Sequence, residues 1–235
     1  MATFSPSSNL SYSTTYTATI TTGVKDTAGN AMSSNYTWSF ATASTPDTTA
    51  PTNTSVTINS GASYTNSTTV TLSLSATDNT GVTAYYISTS SSTPSSSTSG
   101  WTSVSSTTSY SGSVSYTLSS GDGSKTVYVW FKDSSGNVSS SAGDDITLDT
   151  TAPTINITSP TSSDNYTATS STINLGGSAS DSTSGIKEVT WSNSSGGSGT
   201  ANGTTSWTIS NISLSNGDTT ITVTAKDNGG NTATD

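Results

Sequence analysis

The sequence predicts an all-β chain of β-sandwiches in tandem, and three observations carry that prediction. Apolar residues alternate with polar ones: "TVYVWF" at 126–131 puts Val127, Val129 and Phe131 on one face, and "TITVTA" at 220–225 does the same with Ile221 and Val223. Alternation with period two marks half-buried strands, and no stretch carries the 3.6-residue period of a helix. Landmarks also recur, "DTTAP" at 47–51 returning at 149–153, which is 102 residues later and the length of one seven-strand sandwich.

The elements follow in order. A leading piece, residues 1–45, offers strands at Tyr16–Thr21 and Tyr36–Thr42, and two or three strands cannot bury a core alone. Residues 46–149 form a complete domain. Residues 150–235 repeat it: "SATDNTGV" at 75–82 answers to "SASDSTSGI" at 178–186, and "LSSGDGSKTVYV" from Leu118 to "LSNGDTTITV" from Leu214. A KDxxGN turn comes late in each piece, at 25–30, 132–137 and 226–231. After the third, the chain stops at "GNTATD", where the preceding repeat continues through "GNVSSSAGDDITLD" into a last strand. The first and last domains therefore read as incomplete, a window on a longer array. The alternative is completion by neighbouring chains, because open strand edges invite pairing.

Composition narrows the chemistry. The 235 residues include no His, no Cys and no Arg, and the net charge is -9 with a pI near 4.1. Without His or Cys there is no Ser-His-Asp or Cys-His nucleophile system and no zinc, haem or iron–sulfur site of the usual ligand types. The acidic balance argues against nucleic acid and anionic membrane, both of which reward a basic surface. Glu188 is the sole glutamate, so a glycosidase carboxylate pair would have to come from aspartates on turns. No apolar run is long enough to span a bilayer. Leu, Ile, Val and Phe make only 32 of the 235 residues, a level that warns of disorder. Abundant β-branched Thr, 8% aromatics and a small net charge per residue oppose that warning.

At this point "YTATITTGVKDTAGNAMSSNYTWSFAT" resembles the closing half of a bacterial Ig-like domain, and the "DTTAP…D…GN" units resemble bacterial Ig-like repeats found in tandem in secreted and cell-surface proteins. The resemblance covers nearly the whole chain. It implies tandem immunoglobulin-like β-sandwiches and an extracellular bacterial setting, and it transfers no catalytic residue.

The same topology gives the repeated aspartates a meaning. In an Ig-like sandwich the entering chain, the second-to-third-strand loop and the sixth-to-seventh-strand loop share one pole. Asp47, Asp78 and Asp133 are expected to converge there in one domain, and Asp149, Asp181 and Asp227 in the next. Crowded carboxylates raise one another's pKa unless something positive lies between them. Ca²⁺ suits such a site, accepting six to eight oxygen ligands that include backbone carbonyls and water. The competing reading needs no metal: Asp followed by Gly and Asn is a turn in its own right, the carboxylate capping backbone N–H groups. The lysines beside these turns, Lys25, Lys132 and Lys226, offer another source of positive charge.

A second feature emerges from the register. Tyr86, Tyr128 and Trp130 fall at outward positions where the following repeat has Thr190, Thr222 and Thr224. An exposed aromatic row stacks on sugars or anchors a protein partner. Against that stands cover by a loop such as the Ser-rich "STSSSTPSSSTSG".

The expectation is a non-enzymatic array with a mechanical task, the stalk or fibre of an extracellular adhesin or surface filament. The alternative is the accessory spacer or carbohydrate-binding region of a secreted polysaccharide-degrading enzyme. Expected partners are neighbouring Ig-like domains or subunits of the same protein, with polysaccharide or a host or cell-surface protein as further candidates. Pro51 and Pro153 restrict the linkers to extended backbone, so these should be short and stiff.

Overall fold

The computed structural model describes residues 5–235, and every regular element among the described residues is a β-strand. The chain divides into two compact units, Met1–Thr48 and Thr49–Asp235.

In the leading unit, β1 (Thr15–Ile20) pairs antiparallel with β2 (Tyr36–Ala41). Period-two alternation sorts the ribbon into two faces. Tyr16, Ala18 and Ile20 lie opposite Phe40, Trp38 and Tyr36 on one of them, with the Tyr16 and Phe40 rings stacked at 5.9 Å. Thr17 and Thr19 face Ser39 and Thr37 on the other, hydroxyl to hydroxyl. None of the buried core residues of the chain belongs to this unit among those described. Two strands have nothing to close over their apolar face.

The second unit holds two cores. The first is built on β3 (Thr52–Ile58), β4 (Tyr64–Thr65), β5 (Thr69–Ser88), β6 (Thr102–Thr117), β7 (Gly123–Asp133) and β8 (Ala142–Leu148). Hydrogen bonding runs β3-β5-β7-β8-β4, with β6 on β5. The long β5 is shared between both layers. Its first part, through Thr77, pairs with β3 and the end of β6, and from Val82 it pairs with β7 and the start of β6. The crossing lies at the register break between Thr77 and Val82, where Gly81 takes φ 121°, a conformation that costs glycine little. Val70, Leu72, Leu74 and Ala76 from one arm then meet Val82 from the other, and Val127, Val129 and Phe131 of the β7 strand beside it, in a single cluster.

The second core is a plainer sandwich. One layer is β13 (Ser206–Ser213), β10 (Thr172–Ser180) and β9 (Thr154–Ser159). The other is β12 (Ser198–Thr200), β11 (Ile186–Asn193), β14 (Ile221–Asp227) and β15 (Thr232–Thr234). Ile155, Leu175, Val189, Trp207, Ile212 and Val223 pack between them. Gly177 lies beneath Trp207: a methyl group on it would overlap the indole and the Asn156 carbonyl. The missing side chain is what lets the largest core residue lie against the backbone of β10. The sequence suggested that this domain lacks its last strand. Three residues of such a strand are present, β15 pairing with β14 from Lys226↔Thr232 to Thr224↔Thr234.

Candidate functional site

The KDxxGN turn folds alike each time it occurs. Asp26 Oδ1 accepts from the Ala28 and Asn30 amides at 2.9 Å, and Oδ2 from the Asn30 side chain at 2.9 Å. Asp133 accepts the Asn137 amide at 2.9 Å and its side chain at 2.7 Å. Asp227 accepts the Gly230 and Asn231 amides at 2.6 and 2.8 Å and the Asn231 side chain at 2.8 Å. The fifth-position glycines Gly29, Gly136 and Gly230 all have positive φ. Carboxylate capping and a left-handed glycine are enough to make this turn. Asp26 lies in the open, and hydrogen bonds from Asn30 hold its carboxyl below the usual value despite some desolvation.

The later copies differ by what is packed against them. Asp133 and Asp227 are buried, at 2% and 0% exposure. A second turn meets each of them. Asp78 Oδ1 accepts from the Thr80 and Gly81 amides and the Thr80 hydroxyl at 2.7–3.0 Å. Asp181 Oδ1 accepts from the Thr183, Ser184 and Gly185 amides at 2.8–3.1 Å. Burial pushes the Asp181 carboxyl up, but the Gly185, Ser184 and Thr183 amides outweigh it and leave the group below its ordinary value.

Asp149, Asp181 and Asp227 each offer a carboxylate oxygen within 4.8 Å of the other two. The structure thus brings these three expected residues together. Asp78 and Asp133 likewise bring carboxylate oxygens within 4.8 Å of each other, while Asp47 belongs to the leading unit, one residue from its end. Two oxygens in these sets, Asp78 Oδ2 and Asp149 Oδ2, are buried without a hydrogen-bond partner. A buried carboxylate oxygen with no donor is costly.

The linker after β8 is bonded from both directions. Asp122, on the turn before β7, accepts the Thr150 amide and hydroxyl, both at 2.8 Å, and the Thr151 hydroxyl at 2.6 Å. These bonds, the Thr151 hydroxyl foremost, hold the Asp122 carboxyl below its ordinary value. From the other sandwich the Asn231 side-chain amide donates to the Asp149 and Thr151 carbonyls at 2.9 and 3.1 Å. Sequence reasoning did not single out Asp122 or Asn231 as linker residues. A signal existed for the first, since "SGD" in the first repeat matches "NGD" at Asp218 in the second.

The aromatic row is covered, the alternative that the sequence offered to an open binding patch. Tyr86 does pair with Trp130 across β5 and β7, just as Thr190 pairs with Thr224 across β11 and β14. The row is nevertheless no open platform: Trp130 is 0% exposed, and Tyr86 and Tyr128 are half-buried. Residues 89–101 fold back over it. Trp101 packs on Tyr86 at 5.6 Å, its Nε1 donates to the Ser95 carbonyl at 3.0 Å, and Lys132 Nζ donates to the Ser96 carbonyl at 2.8 Å while standing 4.7 Å from the Trp101 ring. Tyr86 is thus a packing residue between Trp101 and Trp130, Tyr128 packs on the other side of Trp130, and a sugar face has no access to the fully buried Trp130.

Comparison with known proteins follows the fold. Residues 1–42 match the family model described as a bacterial Ig-like domain, and residues 153–231 match that of a bacterial Ig domain. No curated protein matches the chain. Among solved structures, the chain is similar to the fibronectin(III)-like modules of Clostridium thermocellum CbhA, at 19% identity and a TM-score of 0.42, over 77% of this chain and 90% of that one. It is also similar to native alpha-2-macroglobulin from Escherichia coli, at 14% identity and a TM-score of 0.20, over 96% of this chain and 75% of that one. Both family matches fall on pieces that the repeated turn had marked out, so residues 1–42 and 153–231 are similar to bacterial immunoglobulin-like domains and the chain as a whole is all-β.

Proposed function

We propose that this chain is a non-catalytic structural array, a stalk or fibre segment of an extracellular bacterial adhesin or surface filament. The observation that carries the reading is the doubly held linker. Thr150 and Thr151 are bound by Asp122 of one sandwich, and the Asp149 and Thr151 carbonyls by Asn231 of the other. Pro153, buried at the start of the next sandwich, fixes its own φ and limits the residue before it. A binding module needs a surface, whereas a spacer needs joints that do not give.

Composition supports the absence of catalysis. With no His or Cys, the leading candidate general bases are carboxylates, and of the buried ones Asp78, Asp133 and Asp227 are engaged in turns. The spacer of a polysaccharide-degrading enzyme would use the same joints, but in the aromatic row that favoured sugar contact Trp130 is fully buried and Tyr86 packs under Trp101.

Backbone amide relaxation by NMR on the full chain tests the reading. Amides of the two cores, for example Val129 and Val223, should report one common rotational diffusion tensor. Independent tumbling of the two sandwiches would overturn it.

A further inference from the structure

We infer that the trio of Asp149, Asp181 and Asp227 is a binding site for a hard divalent cation of calcium type, set into the joint between the two sandwiches. Three elements supply it: the linker after β8, the turn between β10 and β11, and the turn after β14. The acidic cluster alone would not establish a site. Asp149 adds the independent observation. Its side chain is 0% exposed, Oδ1 accepts the Thr151 amide at 3.2 Å, and Oδ2 is buried with no donor at all. A carboxylate oxygen in that position needs a proton or a cation.

The surroundings favour a cation. The neighbours of Asp149 in the cluster are the carboxylates of Asp181 and Asp227, each with an oxygen within 4.8 Å. The hydrogen bonds those two accept come from neutral groups, backbone amides and the Asn231 side chain. Three carboxylates held this closely by neutral donors repel one another unless a positive charge joins them.

Donor chemistry selects the class of ion. Ca²⁺ takes six to eight oxygen ligands in a flexible geometry that admits carboxylates, backbone carbonyls and water, whereas Mg²⁺ demands a near-ideal octahedron. An all-oxygen donor set also excludes ions that prefer sulfur or imidazole. The preceding sandwich repeats half of the arrangement, with Asp78 Oδ2 buried and unpartnered beside Asp133.

The site is independent of whether the array serves as a stalk, and its test is separate from the tumbling measurement. Chelator-stripped full-length protein is titrated with CaCl₂ while amide shifts are followed. Saturable shifts centred on Thr151, Ser184, Gly185 and Asn231, with a Kd on the order of 10⁻⁴ to 10⁻³ M as in extracellular modules, are expected. Absence of shifts at those amides up to about ten times the upper end of that range overturns the site and leaves a shared proton as the partner of Asp149. In the Asp181→Asn chain the affinity at these amides should fall at least about tenfold, as loss of one charged ligand implies, and an unchanged affinity also overturns it. Should that variant fail to fold, the wild-type shift map alone decides.

Discussion

Asp122 accepts the Thr151 hydroxyl at 2.6 Å, and with it the residue that leads one sandwich is bound to the turn that precedes the last strands of the other. The bond is charge-assisted and short. It also makes the joint sensitive to acid. The folded-state pKa of Asp122 is depressed from an ordinary 3.8, chiefly by Thr151. A depressed carboxyl contributes stability that is complete above the unfolded value and is lost as pH falls through the lower folded value. The linker should therefore hold at neutral pH and loosen only below about pH 4. In Asp122→Asn, the Thr150 and Thr151 amide shifts should lose their acid transition, as an NMR pH titration would record.

Gly177→Ala puts a methyl group against the Trp207 indole and the Asn156 carbonyl. Neither neighbour can retreat cheaply, one being the largest side chain of its core and the other backbone on β9. Overpacking of this kind costs about 1–3 kcal/mol. Urea unfolding of the full chain should show the second sandwich destabilised by that amount while the first keeps its midpoint. A wild-type midpoint in both would mean that β10 and β13 can separate without penalty.

Trp101→Ala should uncover Trp130. Trp101 rests on Tyr86 and is held by Ser95 and Lys132, so its loss removes the ring that keeps residues 89–101 in place. Tryptophan emission should move to longer wavelength and acrylamide quenching should increase. Trp130→Ala, by contrast, empties a fully buried position and should cost about 3–5 kcal/mol. Equal, small effects of the two substitutions would mean that the loop does not seal the face.

Much of the arrangement was legible because local chemistry and strand register are written in short spans. The turn at Asp227 needs only its own six residues, and the pairing of Tyr86 with Trp130 follows from aligning one repeat on the other. The convergence of Asp149, Asp181 and Asp227 needed one further ingredient, the order of strands in the sandwich. What escaped depends on contacts between segments with no shared pattern. The Ser-rich stretch was a candidate cover, but nothing in it announces that Trp101 will pack on Tyr86 with Lys132 of another strand beside it. The role of Asn231 was hidden for a related reason: its side chain satisfies Asp227 within the turn and still has a hydrogen to give the linker.

The short parallel pairing of β4 with β8 sets how the first sandwich meets tension. Thr147 donates to the Ser63 carbonyl at 3.0 Å and Asp149 to the Thr65 carbonyl at 2.9 Å, immediately before the linker. A pull delivered through that linker runs along β8 and across those hydrogen bonds. Bonds in such a patch are sheared together, whereas strands pulled apart from one end unzip bond by bond. The sandwich thus places a patch loaded in shear at the point where a neighbour would draw on it.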